Sequence, residues 1–114
     1  MSVDKSLLAG STTMLILKLL EEADMYGYQM IEELSIKSKN VFELKAGTLY
    51  PLLHLLEQKE FVTSYDKSTD QARMRKYYSI TKAGLKHLHE KKREWQRVAS
   101  AVNNVLGGVS LATA

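Results

Sequence analysis

The sequence predicts a mainly α-helical fold that carries one small β-hairpin. Three observations predict it. Apolar residues recur at helical spacing in four separate stretches. Between the third and fourth, residues 61–65 and 73–80 are rich in aromatic and β-branched side chains, read as strands, and are joined by a polar segment. The chain has 114 residues and no cysteine, which fits one domain held without disulfides, thiolate nucleophiles or cysteine-based zinc. A domain of this size buries a limited share of its surface, so association with a second copy is a natural aid.

The first helix is expected over residues 5–22. Leu8, Leu15 and Leu19, flanked by Ile16 and Leu20, form a broad apolar face, and Leu7, Met14 and Leu17 form a second one beside it. A helix apolar on two sides is buried from two directions. Either another subunit supplies the second contact or the protomer's own core wraps the helix. Asp24-Met25-Tyr26-Gly27 breaks this helix, and a second follows over residues 27–36 with Met30, Ile31 and Leu34 inward. Lys37-Ser38-Lys39-Asn40 is a polar, basic turn.

The chain is organised around residues 41–57, VFELKAGTLYPLLHLLE. Residues 41–44 read as a short strand-like run. The third helix begins near residues 46–48, with Leu49, Leu52, Leu53 and Leu56 at i, i+3, i+4 and i+7 facing a core. The opposite face carries Gly47, Pro51, His54 and Gln58, flanked by Thr48 and Tyr50. Pro51 is expected in the first turn, where its missing N–H has no partner to lose. A core-anchored helix with an exposed amino end suits entry into a DNA groove. An ordinary core helix with a solvated face has the same pattern.

Beyond the third helix, the period of two in residues 73–80 places Met74, Lys76, Tyr78 and Ile80 on one face and Arg73, Arg75, Tyr77 and Ser79 on the other. Three helices followed by a basic hairpin predict a winged helix-turn-helix. Thr81 is a good N-cap for a fourth helix, expected over residues 82–106 and ended by Gly107-Gly108. Leu85, Leu88, Lys92, Trp95, Ala99, Val102 and Leu106 recur at alternating spacings of 3 and 4, a heptad seam broken only by Lys92. The seam joins two copies or packs back on its own subunit. The resulting organisation is an α+β domain. Residues 1–80 are expected to form a winged helix-turn-helix DNA-binding region, residues 81–108 a long C-terminal dimerisation helix in the same compact domain, and residues 109–114 a loose tail.

Charge is unevenly placed. Asp4, Glu21, Glu22, Asp24, Glu32 and Glu33 outweigh Lys5 and Lys18, so residues 1–36 carry −4, and the rest carries +7 within a total of +3. A basic portion of this kind favours a polyanionic partner, nucleic acid above all. Residues 14–20 are apolar but short and interrupted by Lys18, so neither a membrane span nor a leader is expected, and a cytoplasmic location is. Enzyme chemistry finds no constellation. Gly47-Thr48 lacks the spacing and the lysine of a phosphate-binding loop. His87 and His89 are two apart on a helix, point to different sides and cannot chelate together, so no metal or cofactor is expected. No nucleophile stands with a base, and no catalytic residue is assigned.

Several pieces together give the chain a likeness. Tyr26-Gly27-Tyr28, Gly47-Thr48-Leu49-Tyr50-Pro51, Leu55-Leu56-Glu57, and Arg75-Lys76-Tyr77-Tyr78-Ser79-Ile80-Thr81 leading through Ala83-Gly84 occur in order. Over residues 7–106 the sequence resembles the PadR family of bacterial transcriptional repressors, and its single helix after the wing resembles the small subfamily. The resemblance implies a homodimer, joined through the fourth and first helices, on a palindromic double-stranded DNA operator. Lys45, Thr48, Tyr50 and His54 would then face DNA from the third helix, with Lys37 and Lys39 beside phosphate. Lys67, Arg73, Arg75 and Lys76 would serve from the wing. Lysine and arginine neutralise phosphates and make affinity salt-sensitive. Thr48, Tyr50 and His54 position on phosphate or touch base edges. The third helix lacks an exposed Arg or Asn, so shape and half-site spacing would share the specificity. An ordinary solvated hairpin is the plain alternative for the wing charges.

Trp95 is the second point of resemblance. Multidrug-sensing members hold planar aromatic compounds between paired tryptophans at the dimer centre. Leu7, Met14 and Leu17 from the first helix, and Lys91, Trp95 and Val98 from the fourth, would line such a site here for a small aromatic effector. Indole faces favour aromatics and cations, and methionine suits adaptable pockets. Lys91 and Lys92 would disfavour a cation and suit an anionic aromatic. Trp95 packing the dimer seam is the alternative. The expectation is a dimeric repressor relieved by an aromatic effector. A winged-helix protein-interaction module without DNA binding is the competing class.

Overall fold

The computed structural model describes residues 9–68 and 73–107. A short 3-10 turn, Ala9–Ser11, leads into α1, Thr12–Glu22. There follow β1, Met25–Tyr26, α2, Gly27–Lys37, α3, Ala46–Gln58, β2, Val62–Ser68, β3, Met74–Ile80, and α4, Lys82–Val105. The three strands form an antiparallel sheet in the order β1-β3-β2. Four helices around a three-stranded wing make a winged helix-turn-helix, the fold class expected.

Helix α1 is the hub, packed against α2, α4 and β3. Ile16, Leu17, Leu19 and Leu20 are buried, which accounts for apolar character on more than one side. Leu17 is 0% exposed in its own protomer, so the expectation that a second subunit or a ligand meets it is corrected. Met30 and Leu34 of α2, Leu49, Leu53 and Leu56 of α3, Met25, Val62 and Tyr78 of the sheet, and Leu88 of α4 complete the core. Leu88, placed in the seam by its heptad position, therefore belongs to this core, and the seam starts further along α4. Leu7 and residues 109–114 lie outside the described residues, as does the hairpin tip, residues 69–72.

Two local expectations change. Residues 41–44 alternate exposed and half-buried as an extended chain should, with Phe42 and Leu44 inward, but they form no strand. The third strand comes instead from Met25 and Tyr26, which pair with Tyr78 and Tyr77 of β3. A two-residue strand carries no periodicity of its own and exists because β3 offers it an edge. Pro51 sits in the second turn of α3 rather than the first, so the Gly47 carbonyl has no N–H four residues on. Both residues are exposed, which leaves that carbonyl to solvent.

The base of the wing is tied to α4. The Gly84 N–H donates to Thr81 Oγ1 at 3.0 Å, the expected N-cap, and the Thr81 hydroxyl donates to the Glu60 carbonyl at 2.7 Å. The Thr81 N–H donates to the Phe61 carbonyl at 3.0 Å. Gly84 lies against that same carbonyl, and a Cβ there would overlap it. At the far end Gly107 adopts φ +82°, a left-handed stop after Leu106.

Candidate nucleic-acid interface

The α2–α3 unit exposes Lys37, Lys39, Lys45, Thr48 and His54. The turn between the helices is held by local bonds. The Ser35 hydroxyl donates to Asn40 Oδ1 at 2.7 Å, and the Phe42 N–H donates to Ser38 Oγ at 2.9 Å. Lys39 and Asn40 both have left-handed backbones, φ 54° and 69°. This conformation is uncommon for a lysine, and the Asn40 N–H closes the end of α2 by donating to the Ser35 carbonyl at 2.8 Å. Lys37 is not free in this state, since its ammonium lies 3.3 Å from Glu22.

Tyr50 is 39% exposed. Its ring lies across Gly27, where a Cβ would overlap the phenol, and meets Tyr28 edge-on at 6.4 Å. Burial pushes its hydroxyl above the ordinary value, with the Tyr28 and Tyr78 phenols adding to the rise and Arg75 opposing it. Tyr50 is therefore a neutral hydrogen-bond donor beside the wing's arginine. Tyr28, 60% exposed, is a member of this surface that sequence reasoning placed only in a motif.

On the wing, Lys67, Arg73 and Lys76 are exposed and Arg75 is half-buried. Arg75 lies 4.5 Å from the centre of the Tyr26 ring, and Lys67 and Lys76 lie 5.2 Å and 5.8 Å from those of Tyr77 and Tyr78. The structure thus brings Tyr50, Tyr28 and Arg75 together where α2, α3 and the sheet meet.

A second feature is a groove of about 430 Å³ between the amino end of α1, the end of α3 and α4. Met14, Lys91, Trp95 and Val98 line it, four of the six residues expected around an effector. Leu17 does not, being in the core. Leu55, Lys59, Phe61, His87 and Glu94 are lining residues that sequence reasoning missed. Phe61 and His87 stack at 4.4 Å, a pair 26 positions apart that no local pattern announces. Glu94 was open to detection, because it stands three residues from Lys91 and pairs with it at 3.2 Å. Lys92 is not in the lining and Lys91 is paired, so the groove carries both signs of charge rather than a cationic wall.

The outer half of α4 stands away from this core. Leu85 is half-buried and Ala99 partly covered, whereas Trp95, Val98 and Val102 are about half exposed, Val105 is 86% exposed and Leu106 77% exposed. Val98 and Val105 extend the seam beyond the heptad positions, and Lys92 is exposed at its margin. Among the described residues no group of His, Cys, Asp and Glu could hold a metal ion, and no helix is long and apolar enough to cross a membrane.

A helix-turn-helix with an exposed third helix and a basic wing defines a DNA-binding regulator. The sequence profile of the PadR-like family of transcriptional regulators matches residues 16–90, and the chain belongs to that family. It is similar to the PadR-like transcriptional regulator BC4206 of Bacillus cereus, with a TM-score of 0.80 and 31% identity over 91% of this chain and 99% of that one. A transcriptional regulator of Clostridium thermocellum matches with a TM-score of 0.81 and 30% identity, covering 90% of this chain and 96% of that one. The transcriptional regulator Rv3488 of Mycobacterium tuberculosis is 34% identical over 76% of this chain and 75% of its own. Members of the family are transcriptional regulators, not enzymes.

Proposed function

We propose that this chain is a homodimeric repressor that reads a palindromic operator and is relieved by a small aromatic effector. The observation that carries the reading is the apolar arc of α4. Trp95, Val98, Val102, Val105 and Leu106 project from a helix that its own protomer leaves uncovered over that half. A contiguous exposed apolar face of this kind marks an interaction surface. A second copy fits it, because an arc of like residues is self-complementary about a two-fold axis.

In this reading residues 1–80 meet DNA and residues 81–108 join the protomers. Lys45, Thr48, Tyr50 and His54 enter the major groove from α3, with Lys37 and Lys39 on phosphate. Lys67, Arg73, Arg75 and Lys76 serve the backbone from the wing. Lys37 must exchange Glu22 for phosphate, a change that costs little between exposed groups. The effector stacks on Trp95 in the groove with Met14, Lys91 and Val98. It lowers DNA affinity only if it binds the DNA-incompetent dimer more tightly than the competent one.

Trp95 is the only tryptophan, so the tryptophan fluorescence has a single source, at the groove. The test titrates cationic and anionic aromatics while following the anisotropy of a labelled duplex, selected from a random pool by the protein itself. The expected result is saturable quenching by one charge class and release of a duplex with inverted half-sites, a release that Trp95→Ala no longer shows although it still binds the duplex. A selection that yields no preferred duplex refutes the DNA reading. Absence of any quenching refutes the effector.

A further inference from the structure

The wing holds an arrangement that DNA binding by separate side chains does not require. Register places Tyr26 of β1, Tyr77 of β3 and Tyr65 of β2 side by side across all three strands on one face of the sheet. Tyr65 and Tyr77 stack with centroids 5.8 Å apart, and Tyr26 meets Tyr77 edge-on at 5.4 Å. The row is tied across its width, because the Tyr65 hydroxyl donates to Asp24 Oδ2, just before β1, at 2.7 Å. That bond is also the largest cause holding the Tyr65 phenol above its ordinary value, so it stays a donor.

Beyond the intervening Asp66–Lys76 pair, which faces the other way, the next pair on the tyrosine face toward the hairpin tip is Lys67 opposite Arg75. Both cations lean back over the row, Lys67 over Tyr77 and Arg75 over Tyr26. Neither makes an ion pair among the described residues. A free lysine or arginine samples many rotamers and loses that freedom on meeting a phosphate. A cation already resting on a ring has surrendered part of it, and its outward side remains open to an anion.

We infer that the tyrosine row is a positioning device for DNA binding, with Tyr77 setting Lys67 directly and, by buttressing Tyr26, setting Arg75 beside the recognition helix. The tyrosines touch no phosphate in this scheme; they act through the two cations. The inference rests on the proposed role of the wing cations and deepens it by naming the residues that pre-order them.

A double-mutant cycle tests it on the selected duplex at low salt, using Tyr77→Leu, the conservative Tyr77→Phe, Lys67→Ala with Arg75→Ala, and the combination of Tyr77→Leu with both alanines. Tyr77→Leu is expected to weaken affinity roughly three- to tenfold, the equivalent of one or two exposed cation–π contacts. Tyr77→Phe should bind as the wild type does, because the ring is kept. In the background lacking both cations, Tyr77→Leu should cost nothing more, which a merely structural role would not produce. Equal losses in both backgrounds, or no loss in either, overturn the inference while leaving the wing cations in place. Wild-type affinity in the variant lacking both cations overturns the wing reading itself. A readout needing no variant guards against misfolding. The Lys67 ε-methylene protons of the free protein should be moved upfield by the Tyr77 ring, and random-coil positions would overturn the inference.

Discussion

Gly84→Ala carries the most direct test of how the wing is joined to α4. The glycine is the third residue of the helix, where alanine should gain about 1 kcal/mol of helix propensity. Space says otherwise. A Cβ at this position would overlap the Phe61 carbonyl oxygen and stand 2.8 Å from Ile80 Cγ1. The obstacle is backbone, and that carbonyl already accepts from the Thr81 N–H, so it cannot swing aside without loosening the wing. Overpacking of this kind costs about 1–3 kcal/mol, and the larger part of that range follows from a backbone obstacle. The net is a destabilisation of about 1–2 kcal/mol, or a melting temperature lowered by roughly 5–10 °C. Thermal melts by circular dichroism at one fixed protein concentration measure it, since the proposed dimer would make the midpoint concentration-dependent. A variant melting at or above the wild type would refute the argument. Gly27→Ala is the contrasting case. There the Cβ would overlap the far end of the Tyr50 side chain, which can rotate away. Stability should change by less than about 1 kcal/mol, while displacement of Tyr50 from the α2–α3 surface lowers affinity for the selected duplex.

Two further outcomes follow from the same structure. Val102→Lys places a charge in the uncovered arc of α4 and should weaken self-association about 100-fold or more in sedimentation equilibrium; unchanged association would remove the arc from the dimer contact. Glu21 is held below the ordinary carboxylate value near 4.5, first by its hydrogen bond from Lys18 and further by His89, against an opposing effect of burial. A depressed value stabilises the fold above that ordinary value and is lost as pH falls through the folded one. Glu21→Gln should therefore lose stability less steeply than the wild type on acidification below about pH 4.5. The effect is small because the pair is exposed, and parallel urea-denaturation curves across that range would contradict it.

Much of the fold was legible because it rests on near-neighbour physics. The stripe of Leu49, Leu52, Leu53 and Leu56 faces inward because helical geometry puts i, i+3, i+4 and i+7 together. The Thr81 cap and the Gly107 stop are set by the chemistry of one or two residues. The period of two in β3 correctly separated Tyr78, buried, from Tyr77 on the other face. The residues around the proposed DNA face were legible for the same reason, since exposure follows from the apolar stripe opposite.

What the sequence could not decide was anything that required two distant segments to meet. Met25 and Tyr26 are a strand only because β3 lies beside them, and residues 41–44 are extended without a strand partner. The apolar breadth of α1 left two partners open, and the protomer's own core claimed Leu17. The same core claimed Leu88 from the heptad seam. The groove joins Met14 of α1, Phe61 before β2, and His87 and Trp95 of α4, three separate segments, and the tyrosine row joins three strands. Periodicity states which face of an element is apolar, polar or charged. Only the packing of whole elements decides which face meets which, because that choice is made by the summed burial of the domain rather than by any local preference.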